Sequence, residues 1–404
     1  MRKPEIISWF VACALPLSGC GGGNVSSSST KMGSPIPLNV QPIVVDSGPP
    51  AVGGTANEPF VSVTLCSPSA PSNCQTIDHV LVDTGSYGLR IISSVLSPSL
   101  ALPLQTDASG NAIVECTMFA DGYSWGPVRA VNMQIAGESA SGLAMQVIGD
   151  PIYSNLVPEN CSSSGASENT VANFGANGVL GVGPFAQDCG RACTQNADVG
   201  VYYACSASSC QPVMLALAQQ VTNPITLFAT DNNGVILSLP DISSSGAASV
   251  TGTMIFGVGT QSNNGLGSAK VYTVDPASGN FTTIYNGVSY PDSFLDSGSN
   301  GLYFNDSSIP QCSGGGWYCP SSTLNLSAIN FGTNGTSGVV NFAVGSMITM
   351  LDSNPSFAAF SQLAGTNGDP ASFDWGLPFF FGRNVFTVIE GMSTPGGTGP
   401  YVAY

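Results

Sequence analysis

The chain has 404 residues, with 24 acidic and 8 basic side chains and a net charge of −16. That balance repels nucleic acid and anionic headgroups, which excludes a polynucleotide partner held through its phosphates. Charged residues make up only 8% while Gly numbers 49 and Pro 28, which excludes long charged helices and favours short elements joined by many turns.

Arg2 and Lys3 precede a mostly apolar run, Ile6 to Leu17, and then Leu17-Ser18-Gly19-Cys20. A short apolar run ending in small residues is a secretory signal. With Cys next, the pattern resembles a bacterial lipobox. The resemblance implies that residues 1–19 are removed and that Cys20 carries lipid. That would tether the protein in the bacterial cell envelope, with the outer membrane favoured. Residues 20–37 are rich in Gly and Ser and read as a flexible tether. No later tract offers the ~18 uninterrupted apolar residues that a membrane-spanning helix needs.

From residue 38 onward, short apolar runs alternate with Gly, Asn, Ser and Pro: PFVSVTLC, VLGVGPF, GVILSLP, GTMIFGVG and FFFGRNVFTVI. These are strands separated by turns, so the fold class is all-β. Twelve Cys are present, and ten remain beyond Cys20, an even number in an exported chain that argues for disulfides. Cys66 and Cys74 flank one turn-rich segment, Cys312 and Cys319 another. Cys189, Cys193, Cys205 and Cys210 pair locally or nested, which leaves Cys116 for Cys161. No Cys-x-x-Cys or paired His is present, so no metal site and no cofactor are expected.

The single histidine, His79, narrows the chemistry. It lies four residues before Asp83 on the same expected strand, roughly 13 Å away at ~3.3 Å per residue, too far for a Ser-His-Asp triad. Walker-type loops and GxGxxG turns are missing. Carboxylates must therefore carry any reaction. Two segments put one directly after an apolar strand, LVDTGSYGLR from Leu81 and LDSGSNGLY from Leu295. Asp83 and Asp296 are each followed by a hydroxyl residue and a Gly that lets the chain turn tightly.

The doubled turn resembles those of the pepsin-like aspartic peptidases. So does the order of further elements: an apolar-Gly segment Gly178–Gly183 in the first half and Phe380–Phe386, around Gly382, in the second. The resemblance implies a bilobal pepsin-like fold, with two pseudo-twofold-related β lobes and few short helices. The first lobe would span residues 38–223 and the second 224–404. Val213–Val221 reads as a short helix, and Ile225–Phe228 with Thr253–Gly257 as strands at the lobe junction. Asp83 and Asp296 become the catalytic pair. Thr84, Gly85, Ser86, Ser297, Gly298 and Ser299 support them. A hairpin flap carries Phe119, Asp121, Gly122 and Tyr123.

The implied activity is that of an aspartic endopeptidase acting as a monomer on a peptide or protein substrate. Two residues depart from the family pattern. Phe119 stands where the flap Tyr belongs, and Arg90, seven residues after Asp83, stands where its Trp partner belongs. Tyr123 or Trp125 would then take over the flap. These departures suit an alternative, a non-catalytic binding or assembly module on the same fold. A glycosidase, which also uses two carboxylates, is a further alternative.

Overall fold

The structure is a computed structural model, and it describes residues 37–404. These form one compact unit. Strands dominate it, and its longest helix is Met347–Ser353. It has the all-β architecture that the sequence implies, with one aspartate turn in each half of the chain.

The first half builds around β1 (Val40–Val45), β2 (Pro59–Ser67), β3 (Ala70–Asp83) and β4 (Tyr87–Ile92). It continues with β5 (Ala112–Met118), β6 (Gly122–Ile135), β7 (Glu138–Ile148) and β8 (Gly178–Val182). In β2 the side chains of Val61, Val63 and Leu65 are buried while Thr64 is partly open, the period of two that one wet face demands. β8 is buried along its whole length. It pairs parallel with β3 and antiparallel with β4, so both of its edges are occupied and an unbroken apolar run suits it.

The N-terminal strand links the halves. β1 pairs antiparallel with β10 (Val250–Phe256), and β10 pairs with β9 (Gly234–Leu239). Hydrogen bonding thus runs through one 16-stranded sheet that draws on both halves. A separate seven-stranded sheet holds β11 (Val288–Leu295), β12 (Leu302–Tyr303) and β13 (Asp374–Trp375). β13 pairs parallel with β11 and antiparallel with β12, the same relation that β8 has to β3 and β4.

Three sequence expectations need correction. The element that crosses behind the second turn is β13, not Phe380–Phe386. That later run forms β14 (Arg383–Val388), which pairs with β9 in the large sheet. The difference has a physical cause: β13 carries Asp374 where the pattern calls for an apolar residue. Val213–Val221 holds only a 3₁₀ turn at Leu217–Gln219. Its backbone is used instead by tertiary bonds, Val213 N to Tyr202 O and Leu215 N to Cys193 O, 3.0 and 2.9 Å. Ile225–Phe228 is not a strand either. Asn223 caps a 3₁₀ turn at Pro224–Leu227, and Pro in its first turn suits that start.

The ten Cys beyond Cys20 form five disulfides: Cys66–Cys74, Cys116–Cys161, Cys189–Cys193, Cys205–Cys210 and Cys312–Cys319. The cluster of four thus pairs locally. Among the described residues no helix is long and apolar enough to cross a membrane. Cys20 lies outside the described residues.

Candidate active site

Each aspartate stands at the end of a strand. β3 delivers Asp83 and β11 delivers Asp296 just past Leu295. Both turns close on their own carboxylate: Gly85 N donates to Asp83 Oδ1 at 2.7 Å, and Gly298 N donates to Asp296 Oδ1 at 2.8 Å. The turns face each other so closely that each glycine is required. A methyl on Gly85 would sit 2.7 Å from Asp296 Cγ, and one on Gly298 would sit 2.9 Å from Asp83 Cγ.

A reciprocal set of buried bonds joins the two turns. Ser297 N donates to Thr84 Oγ1 at 2.9 Å, and Thr84 N donates to Ser297 Oγ at 3.1 Å. Each hydroxyl then donates onward into the opposite strand, Thr84 Oγ1 to Leu295 O at 3.0 Å and Ser297 Oγ to Val82 O at 2.7 Å. One point breaks the symmetry. Ser299 Oγ donates to Asp296 Oδ2 at 2.9 Å, whereas the corresponding Ser86 Oγ is buried without a partner.

The two carboxyls face each other: a methyl on Gly298 would lie 2.9 Å from Asp83 Cγ and 3.2 Å from Asp296 Oδ1. Removal from water pushes the Asp296 pKa well above the usual carboxylate range, and the charges of Asp83 and Asp374 push it further. The pair floors a cleft of about 530 Å³ whose wall holds five more carboxyls, from Glu58, Asp121, Glu168, Asp369 and Asp374. None of the cleft-lining residues is Lys, Arg or His. Burial raises Glu58, Glu168 and Asp374 to about 8 each, with the Asp121 charge adding to the first two. Among the described residues no group of three or more His, Cys, Asp or Glu side chains is placed to hold a metal ion.

The expected flap is the β5–β6 hairpin. Phe119 and Asp121 line the cleft, with Phe119 edge-on to Phe174 at 5.6 Å. Gly122 sits behind them, and a methyl there would strike Ala166 O at 2.5 Å. Tyr123 and Trp125 do not take over the flap. Both are buried in a cluster with Tyr153 and Tyr203, and Trp125 Nε1 donates to Tyr153 O. What holds the hairpin is not legible in the sequence. Arg90 is 1% exposed and reaches from β4 under the hairpin. It donates to Thr117 Oγ1 at 2.9 Å, Glu115 Oε1 at 2.6 Å and Asp188 Oδ2 at 3.2 Å. A buried ion-pair network therefore supports the flap where the resemblance implies a Tyr–Trp bond. His79 lies away from the cleft, at a register shift of the β2–β3 ladder, near Asp46 and Asp78.

Residues 35–404 match the family described as "Protein of unknown function (DUF3443)". The chain belongs to that family. No curated protein matches this DUF3443 member in sequence. Among solved structures, it is similar to an aspartic proteinase from Irpex lacteus at 16% identity and a TM-score of 0.49. That similarity covers 90% of this chain and 96% of the proteinase.

Proposed function

We propose that this DUF3443 protein is an aspartic endopeptidase in which Asp83 and Asp296 activate water for peptide hydrolysis. One observation carries the reading: two carboxyls held face to face by mirrored, hydrogen-bonded turns at the floor of a cleft large enough for a peptide segment. Two such groups do not ionise together, so one proton is shared. A shared proton gives one site both an acid and a base at the same pH. The ionised carboxyl of the pair takes a proton from water as the water oxygen bonds to the scissile carbonyl carbon. The protonated one gives its proton to the carbonyl oxygen. Collapse of the resulting diol breaks the C–N bond as the nitrogen is protonated.

Carboxyls so close that one methyl on Gly298 would touch both argue against a glycosidase, which needs them at least ~5 Å apart with a sugar between them. Phe119, lacking a hydroxyl at the flap, favours a second reading as a peptide-binding module. One assay separates the two. The purified protein should degrade an unfolded protein substrate at mildly acidic pH, and a pepstatin-type statine should inhibit it. Normal folding with no cleavage from acid to neutral pH leaves the binding module.

The five disulfides suit an oxidising compartment. Together with the lipobox-like Leu17–Cys20, they support a lipid-anchored envelope location. Replacing Cys20 by Ala should abolish lipid labelling and release the protein from membranes. Unchanged labelling would reject the anchor.

A further inference from the structure

The two halves match strand for strand at the cleft floor, and they differ at one informative place. In the first half Leu81 pairs with Val179 across β3 and β8. In the second, Phe294 pairs with Asp374 across β11 and β13. All four line the cleft. Asp374 thus occupies the position that Val179 holds in the other half.

An apolar residue satisfies this place structurally, as Val179 shows, so the acid has no evident role in the fold. Asp374 is only 6% exposed, and its Oδ1 has no hydrogen-bond partner. The nearby Ser299 gives its one proton to Asp296. A buried carboxyl oxygen without a donor is costly unless something else supplies the donor. Glu58, another lining residue of the cleft, likewise has a buried and unpartnered Oε2.

The chemistry of the missing donor follows from the wall. Seven carboxyls and no cationic side chain line the cleft, so an entering cation lowers the cost of ionising them, which a neutral or acidic group does not. A metal ion would need converging ligands, and among the described residues no such group exists. An ammonium or guanidinium on a long flexible stem fits: the stem crosses the apolar part of the cleft and the head meets the acid.

We propose that the peptide taken by this cleft carries a Lys or Arg side chain beside the scissile bond, and that Asp374 is the residue that reads it. The inference rests on the peptidase reading of the dyad. It also sets this site apart from one built for apolar side chains, because specificity comes from rejecting what leaves Asp374 unpaired.

The test uses the purified full chain and paired peptide pools that differ only in Lys, Arg, norleucine or Glu at each position in turn. Cleavage sites are read by mass spectrometry and binding by calorimetry. Lys or Arg should be favoured over norleucine at least tenfold at one position near the cut, and Glu should be rejected. Asp374→Asn should collapse that ratio toward one. Glu58→Gln should lower it in part, and serves if Asp374→Asn does not fold. Cleavage with no basic preference overturns the proposal and leaves the peptidase reading intact. No cleavage of any pool overturns the peptidase reading. Calorimetry then decides the cleft's preference: tighter binding of the Lys peptides upholds Asp374 as the reader, and equal binding of Lys and norleucine peptides overturns it.

Discussion

Thr84 and Ser297 exchange backbone and side-chain hydrogen bonds across the midline of the molecule, each hydroxyl accepting from the other residue's N–H and donating to the other half's strand. Four bonds therefore fix the separation and tilt of the two aspartate turns before any substrate arrives. They also explain the residue choice after each Asp: only a hydroxyl both accepts and donates at that place.

Thr84→Val tests that linkage. It keeps the shape but strands Ser297 N–H and Leu295 C=O inside the protein. Leaving a buried polar group unsatisfied costs about 1–3 kcal/mol. Denaturant unfolding should show a loss of that order, with activity falling more steeply than stability as the turns lose their register. Thr84→Ser keeps both bonds and should behave like the parent. Equal loss in both variants would mean that the methyl, not the hydroxyl, matters.

Arg90 is the second pressure point. Glu115 and Asp188 meet at its guanidinium, all three buried. Burial and the Glu115 charge push Asp188 well above the usual carboxylate range, and Tyr202 donates to it at 2.6 Å. Arg90→Met should destabilise by about 3–5 kcal/mol, as expected for a broken buried pair. Part of that loss should return at low pH, where the two acids are neutral and need no counter-charge. Arg90→Lys should rescue incompletely, because an ammonium cannot reproduce the fork that reaches Thr117, Glu115 and Asp188 together. Hydrogen exchange should locate the loosening in the β5–β6 hairpin. Exchange spread evenly over the fold would argue against a specific hinge support.

The cleft acids predict how stability follows pH. Glu58, Glu168 and Asp374 titrate at about 8 in the folded protein, against about 4 for carboxyls in an unfolded chain. Between those limits the folded chain holds protons that the unfolded chain has released. Stability is therefore fullest below the unfolded pKa and is lost as pH rises through the folded one. Each group contributes at most about 1.4 kcal/mol per pH unit across that window, and Glu168, the least enclosed of the three, contributes less because water screens it. Thermal unfolding should give a higher Tm at pH ~5 than at pH ~8, and Asp374→Asn should flatten the difference. A Tm that rises toward the alkaline end would contradict the raised values.

Much of this was legible in the sequence, because the turns carry unusual local chemistry. Asp-Thr-Gly-Ser and Asp-Ser-Gly-Ser after apolar strands announce both halves, and the turn-rich spacing of Cys66–Cys74 and Cys312–Cys319 announces two disulfides. The failures share a physical cause. Phe373-Asp374-Trp375-Gly376 is hidden because Asp374 breaks the apolar pattern, and the more hydrophobic Phe380–Phe386 stands out in its place. Trp375-Gly376, preceded by Phe373, was the available signal. Arg90 gives no local hint of its partners, since Glu115 and Asp188 lie far off in the chain and meet it only through the fold. Val213–Val221 has helical propensity, but pairing with Tyr202 and Cys193 overrides it, as tertiary contacts commonly do for short segments.

The dyad itself gives the most demanding prediction. The working form carries one proton between Asp83 and Asp296. Activity should fall as pH rises through the upper apparent pKa, when both groups are ionised, and fall again at very low pH, when neither can act as base. The upper limb should lie well above the ordinary carboxylate range, because removal from water and the Asp83 and Asp374 charges all raise Asp296. Asp374→Asn removes one of those charges and should draw the limb downward. Asp83→Asn and Asp296→Asn should each lower kcat/KM by ~10²–10⁴-fold, the range of general acid–base catalysis. The double variant should be no worse than either single one, because two groups that share a proton act as a unit. Circular dichroism would confirm that the variants fold. Independent, multiplying losses from the two single changes would mean that the carboxyls do not work as a pair, and retained cleavage in either would remove that Asp from the mechanism.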